Sequence, residues 1–255
     1  MASEQVLSCW FHFASCSTSC NASKAHRGAL KKRLIMEDRI TPVLYLEMTD
    51  RPPAQYATAR VPEVLALPGV QRATWWANCV PFREDLPRTI PEFAVLGVYE
   101  ADRDFVAPKG AGSVPDDITG YCFDHYGRPG QGTLSDKPTL GIELVLISAP
   151  TADQSQTLRD WGDFIHIRDI AAASPPHFTM ITPYENRAEG SPRYMHFYEL
   201  DTDDPEPAFR AMTPATVARI GAYGTHSVEE WKMHPTLVID YVNTFRRLGV
   251  LDRPL

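Results

Sequence analysis

Val43-Leu44-Tyr45-Leu46-Glu47-Met48-Thr49 is followed, 99 residues later, by Ile142-Glu143-Leu144-Val145-Leu146-Ile147-Ser148. Both stretches are apolar and strand-like, and each comes after a proline, Pro42 or Pro138. At the same offset Gln55, Thr58 and Arg60 recur as Gln154, Thr157 and Arg159, at the start of a helical pattern. Tyr99-Glu100-Ala101-Asp102 recurs as Tyr198-Glu199-Leu200-Asp201. Three segments in one register read as an internal repeat.

The two halves then share one order of elements. A first strand (42–49; 139–148) leads to a helix (54–67; 153–173). The second of these helices is amphipathic, with Leu158, Trp161, Ile165, Ile167 and Ile170 near 3.6 spacing. A second strand (70–78; 177–184) precedes a third, which follows Pro91 or Pro192. After Asp102 and Asp201 comes a helical or irregular stretch, with Asp204 as N-cap and a short helical turn over 208–212 in the second half. A last strand (118–126; 236–246) closes each half. The order β-α-β-β-α-β is the ferredoxin-like unit, with helices on one face of an antiparallel sheet. The bare face must be buried, and two copies in one chain bury both faces by packing sheet to sheet. The expected organisation is a leader over 1–38, a first α+β repeat over 39–137 and a second over 138–255.

Composition agrees with a soluble globular chain. The 255 residues are 44% hydrophobic and 22% charged, with 25 Lys plus Arg against 32 Asp plus Glu and a net charge of −7. No apolar run reaches the roughly 18 residues of a membrane span, and an acidic chain is a poor match for nucleic-acid phosphates. Residues 1–35 hold five basic residues and one acid. They also hold Cys9, Cys16 and Cys20, while the body keeps only Cys79 and Cys122, which make no disulfide framework. A reduced, cytoplasmic protein is expected. Patterning begins only at Ile40, so the leader reads as disordered and Met36 as the natural start. The spacing of Cys9, Cys16, Cys20 and His26 matches no common zinc site.

The most polar-aromatic strand is Arg193-Tyr194-Met195-His196-Phe197-Tyr198-Glu199. Alternation places Tyr194, His196 and Tyr198 on one face. A buried His between two tyrosines suits general-base chemistry, with a tyrosine holding an oxyanion. The competing reading is a core His satisfied by hydrogen bonds. His166 lies on the long second-half helix near Asp163 and Asp169 and could face the same pocket. His125, with Tyr121 and Tyr126, forms a second aromatic-polar cluster. Asp124 and Cys122 fall on the face opposite His125, which argues against a dyad or a Cys–His pair. Asp201, Asp203 and Asp204 precede a helix start, where acids cap rather than bind metal. Trp75 and Trp76 put one ring on each face of their strand. Gly110-Ala111-Gly112 lacks the dinucleotide fingerprint, and no P-loop, HExxH or GxSxG is present.

Element order and repeat together resemble the dimeric α+β barrel superfamily in its fused two-repeat form, over about residues 40–250. Its members include EthD-like proteins, small polyketide cyclases, quinol monooxygenases, muconolactone isomerases, and the haem-using chlorite dismutases and dye-decolorising peroxidases. The resemblance implies an intramolecular barrel with a pocket between helices and sheet. It implies cofactor-free acid–base chemistry, of cyclase, isomerase, lyase or oxygenase type, on an apolar oxygenated small molecule. His196 would be the base, Tyr194 or Tyr198 the oxyanion partner, and His166 or His125 a helper; no cofactor or metal is called for. The alternatives are a binding or stress-related protein of the same fold, and a haem protein, for which His226 and His234 are the histidines to weigh. Nucleic acid and membrane are not expected partners, and a homodimer is left open.

Overall fold

Leu44, Leu46 and Met48 point to one side of their strand and Val43, Tyr45 and Glu47 to the other, yet all are buried. A strand buried on both faces lies between two layers. The computed structural model describes residues 40–108, 113–128, 131–132, 137–224 and 226–254. The expected leader over 1–38 and Gly110-Ala111-Gly112 lie outside the described residues.

The strands are β1 (Val43–Thr49), β2 (Val70–Asn78), β3 (Val95–Ala101), β4 (Ile118–Asp124), β5 (Gln131–Gly132), β6 (Gly141–Ser148), β7 (Phe178–Asn186), β8 (Tyr194–Leu200) and β9 (Val238–Asp252). The first half runs β4-β1-β3-β2 and the second β9-β6-β8-β7, all antiparallel. Each is the 4-1-3-2 order of a ferredoxin-like unit. β2 pairs with β9 and β4 with β7, so eight strands close into one barrel. The short β5 pairs with β7 at Ile181 and Met180. This is the fused dimeric α+β barrel fold: each sheet's bare face is buried against the other, and closure removes the free edges.

The two joins differ. β2 and β9 pair from Arg72↔Asp252 to Asn78↔Phe245, and Gly249 leaves room for the Trp75 ring, since a Cβ there would lie 2.1 Å from Trp75 Cζ2. β4 and β7 pair at only two positions, and the Arg187–Asp124 ion pair at 2.7 Å reinforces that seam.

Helix α1 covers residues 53–65 on the outer face of the first half, and its middle, Tyr56–Arg60, is π-helical. On the second half lie α2 (residues 155–173, with a π-helical turn Gly162–His166), α3 (Pro205–Tyr223) and α4 (Val228–Lys232). Between β3 and β4 the described residues hold no helix.

Three expectations are corrected. The first strands match at an offset of 98, not 99: Tyr45 pairs with Tyr99, whereas Glu143 pairs with Tyr198. A slip of one residue exchanges the faces of a strand, and the inward set is Leu44, Leu46, Met48 against Ile142, Leu144, Leu146. The helical turn expected over 208–212 is a 19-residue helix that runs through Pro214. Asp204 stands at its N-cap without a side-chain cap bond, next to Pro205. The last strand runs to Asp252, because it pairs with β2 as well as β6.

Under α1 the space is filled. Glu47 is fully buried and accepts hydrogen bonds from Tyr45 Oη (3.1 Å), Tyr56 Oη (3.0 Å) and Arg60 Nη2 (2.6 Å). The Tyr56 and Tyr99 hydroxyls are 2.7 Å apart. A Cβ on Gly97 would fall 1.9 Å from the Tyr56 hydroxyl, so this glycine makes the room the tyrosine occupies. Losing one partner of a buried pair strands the other charge. Arg60→Ala should therefore cost about 3–5 kcal/mol in urea unfolding, while Arg51→Ala, whose partner Asp117 is exposed, should cost less than about 1 kcal/mol. Equal losses in the two variants would contradict this.

Candidate functional site

In the second half the corresponding space contains different chemistry. β8 turns Tyr194, His196 and Tyr198 outward beneath the helices and Met195 and Phe197 into the barrel. The inward residues of β3 and β8 match at 99, so His196 stands where the first half has Gly97. The fit is reversed on the helix side: there the small residue is Gly162, where a Cβ would come within 2.9 Å of His196 Cε1. A glycine in mid-helix costs helix stability; this one lets the imidazole pack against the π-helical turn.

That turn presents two side chains to the sheet. Asp163 is buried and its Oδ1 lies 3.3 Å from His196 Nε2. Two guanidinium groups flank its other oxygen, with Arg128 Nε at 3.5 Å and Arg159 Nε at 3.6 Å. His166 stacks on Trp231 with ring centroids 5.4 Å apart and planes 9° apart, and lies 4.9 Å from the Trp161 ring. A reciprocal pair of bonds fixes it: His166 Nδ1 to the Trp231 carbonyl at 3.0 Å, and Trp231 Nε1 to the His166 carbonyl at 3.2 Å. Burial pushes the His166 imidazole down to about 4, so the ring is neutral near pH 7 and serves as an aromatic wall.

These residues border an open cavity of 210 Å³ lined by His196, His166, Tyr198, Trp161, Trp231 and Glu143, by Thr213 and Lys232, and otherwise by apolar side chains from β6, β9, α3 and the adjoining loops. It is smaller than the roughly 300–1,000 Å³ typical of drug-sized ligand sites. Glu143 is 2% exposed, and its Oε2 has no hydrogen-bond partner. Burial pushes its carboxyl up to about 8; Arg83 lowers it and Glu206 raises it. Arg83 is itself buried, bonded to Glu206 and lying 4.6 Å from the Phe209 ring centroid.

Of the residues expected from the sequence, His196, Tyr198 and His166 come together here. Tyr194 is buried beside them but outside the cavity wall, donating to the Ser155 carbonyl at 3.1 Å. His125 lies elsewhere: its Nε2 is 2.7 Å from the Arg128 carbonyl, and its ring meets Tyr184 edge-on. Tyr126 is exposed and Tyr121 packs near Phe123. Asp201 is taken up by Lys137 and His177. Asp163, Glu143 and Trp231 were not singled out as site residues. The available signals were a glycine inside the helical pattern at Gly162, next to Asp163, and a lone acid in the apolar strand at Glu143.

A larger cavity of 520 Å³ opens at one end of the barrel. Its polar lining is largely self-satisfied: Thr41 donates to Glu100 at 3.2 Å, Thr139 to Glu199 at 2.7 Å, and Arg72 to Asp252 at 2.6 Å.

Haem does not fit the residues present. It needs an axial ligand facing a large apolar cavity. The cavity that His166 and His196 line is 210 Å³, too small for a porphyrin. His226 bonds Arg168 at 2.9 Å, and His234 bonds Thr236 at 2.8 Å.

No family model matches the chain, and no curated protein does. Solved structures are similar to it at low identity. An anthrone oxidase-like protein has a TM-score of 0.47 and 11% identity, covering 85% of this chain and 95% of its own. A presumed monooxygenase of Fusobacterium nucleatum has 0.46 and 8%, covering 84% and 96%. Another from Lactobacillus acidophilus has 0.46 and 10%, covering 84% and 97%. At these levels the chemistry rests on this chain's own residues. No helix among the described residues is long and apolar enough to cross a membrane.

The buried His166 carries a pH signature. Its folded value, about 4, lies below the ordinary 6.5. The unfolded chain therefore binds the extra proton between those values. The contribution is fully present above about pH 6.5 and is lost as pH falls toward 4, on the order of 3 kcal/mol in all. Urea midpoints measured across this window should show that slope in the wild type and lack it in His166→Phe. The same slope in both proteins would contradict the assignment.

Proposed function

We propose that the protein is a small-molecule enzyme that moves a proton on an apolar, oxygenated substrate held in the second-half cavity. The observation that carries this reading is the contrast between the halves. Beneath α1 the first half is filled by Tyr56, Tyr99, Glu47 and Arg60, and its own 340 Å³ cavity lies further along the sheet, beside Tyr45, Phe105 and Cys122, with no histidine or carboxylate in its lining. In the second half the space beneath the helices is open and lined by a histidine with an aspartate behind it.

The roles follow from the geometry. His196 Nε2–H donates to Asp163, which fixes the tautomer and leaves Nδ1 as the basic nitrogen. Asp163 stabilises the imidazolium formed when Nδ1 takes a proton from substrate carbon. Trp161, Trp231 and the neutral His166 form an aromatic wall that excludes water and suits a flat substrate. Tyr198 lines the same cavity and is the tyrosine placed to meet a substrate oxygen. No cofactor enters the scheme. The narrow cavity restricts the substrate to one or two fused rings or an equivalent chain.

The test uses an enolisable bicyclic ketone, 2-tetralone, in heavy water, with loss of its α-proton signals followed by NMR. The wild type should accelerate exchange over buffer. His196→Gln should reduce the protein-dependent rate by about 10²–10⁴-fold, the range of a general base. Asp163→Asn should reduce it less, since it changes the orientation and charge behind the base rather than the base itself. Exchange at the wild-type rate in His196→Gln would overturn the reading.

A second reading, binding without turnover, draws on His196 being only 2% exposed. It predicts that His196→Gln loses stability in urea while no exchange is seen in any form of the protein.

A further inference from the structure

The carboxyl group of Glu143 has no assigned task in the scheme above, and its surroundings define one. It lies on the outer face of β6, opposite Tyr198 of β8 and Thr244 of β9. Each neighbouring element brings charged or titratable groups: Arg83 from the segment between β2 and β3, Glu206 from α3, Tyr198 and His196 from β8, His166 from α2 and Lys232 from α4. None of these bonds its Oε2. Thr244 Oγ1 donates to Glu206 at 2.8 Å, and Arg83 bonds Asn243 and Glu206 through Nε and Nη2, while its Nη1 is buried without a hydrogen-bond partner and does not bond Glu143. Burying a carboxyl oxygen without a partner is unfavourable unless a ligand supplies one. The first half shows the alternative, with Glu47 on the outer face of its first strand meeting two hydroxyls and a guanidinium.

We infer that Glu143 binds the substrate's oxygen, and that the substrate is therefore a small apolar ketone, or the enolate formed from it, lying between Glu143 and the His196–Asp163 pair. This rests on the proton-transfer reading and adds, beside Tyr198, a second donor to the substrate oxygen. When His196 Nδ1 takes the α-proton, the C–H electron pair moves into a carbon–carbon double bond and the carbonyl pair moves onto oxygen. An O–H donor already facing that oxygen stabilises it as charge develops, without reorganisation. Below about pH 8 the burial-raised Glu143 carboxyl carries such a proton. A neutral acid in an apolar site is a known solution to this need. An anion there would instead repel the oxygen.

Two measurements test the inference on the full chain. The first needs no ligand. In the infrared difference between wild type and E143Q, the carbonyl band of a protonated carboxylic acid should be present at about pH 7 and replaced by carboxylate bands at about pH 10. The second is the quenching of tryptophan fluorescence by 2-tetralone. The wild-type Kd should be flat below about pH 8 and rise roughly tenfold per unit above it. E143Q, which keeps an N–H donor that does not titrate, should bind within a few-fold of wild type near pH 7 and stay flat. H196Q should keep the wild-type binding profile while losing exchange. Carboxylate bands already at about pH 7, the same pH dependence in wild type and E143Q, or no saturable quenching would each overturn the inference. If exchange still depends on His196 in any of those cases, the proton-transfer reading stands without it. If E143Q behaves as expected but H196Q exchanges normally, the base assignment falls and the Glu143 assignment stands.

Discussion

A carboxylate held between a helix and the outer face of a sheet must be compensated, and the two halves treat this constraint in opposite ways. In the first half, Glu47 is met by Tyr45, Tyr56 and Arg60, and the π-helical turn of α1 carries the last two onto the sheet. Every direction from the carboxylate is taken, and the helix is locked to the strand. In the second half, Glu143 has an oxygen with nothing to bond, and beside it the packing gives way to a cavity. Barrel closure is what makes either arrangement possible. With the inner faces largely buried against each other and open only at one barrel end, the outer faces are free to be specialised.

The specialisation depends on a few exchanges of bulk. Gly97 on the strand and Tyr56 on the helix place volume on the helix side in the first half. His196 on the strand and Gly162 on the helix place it on the strand side in the second. The imidazole is thereby brought within reach of Asp163, while Arg128 and Arg159 balance the charge behind it. Helix α4 then closes the space, because its capping box from Ser227 to Glu230 starts the turn that seats Trp231 on His166.

Much of the fold was legible because element order and proline-marked strand starts survive in a single sequence. The register of the first strands was not. Both faces of β1 and β6 are buried, so no alternation of apolar and polar residues distinguishes inside from outside, and a slip of one residue costs nothing in pattern. Helix α3 runs through Pro214 to Tyr223, well beyond the turn legible over 208–212. At the site, His196 and Tyr198 stood out as polar groups alternating in a buried strand. Asp163 and Glu143 did not, because their meaning depends on distant segments: Arg128 and His196 around one, Arg83 and Glu206 near the other. A lone acid in an apolar strand, as at Glu47 and Glu143, signals a buried charge, but the strand alone does not say which of the two is satisfied.

The central claim is that the second-half cavity, and not the first-half cavity beside Tyr45 or the larger barrel-end opening, is where this chain meets a small molecule. A crystal structure of the protein soaked with 2-tetralone addresses it most directly. The account predicts the ketone in the second-half cavity, its oxygen within hydrogen-bond distance of Glu143 and its rings against Trp231. A ketone bound at the barrel end, or in the first-half cavity beside Tyr45, with the second-half cavity empty, would contradict it.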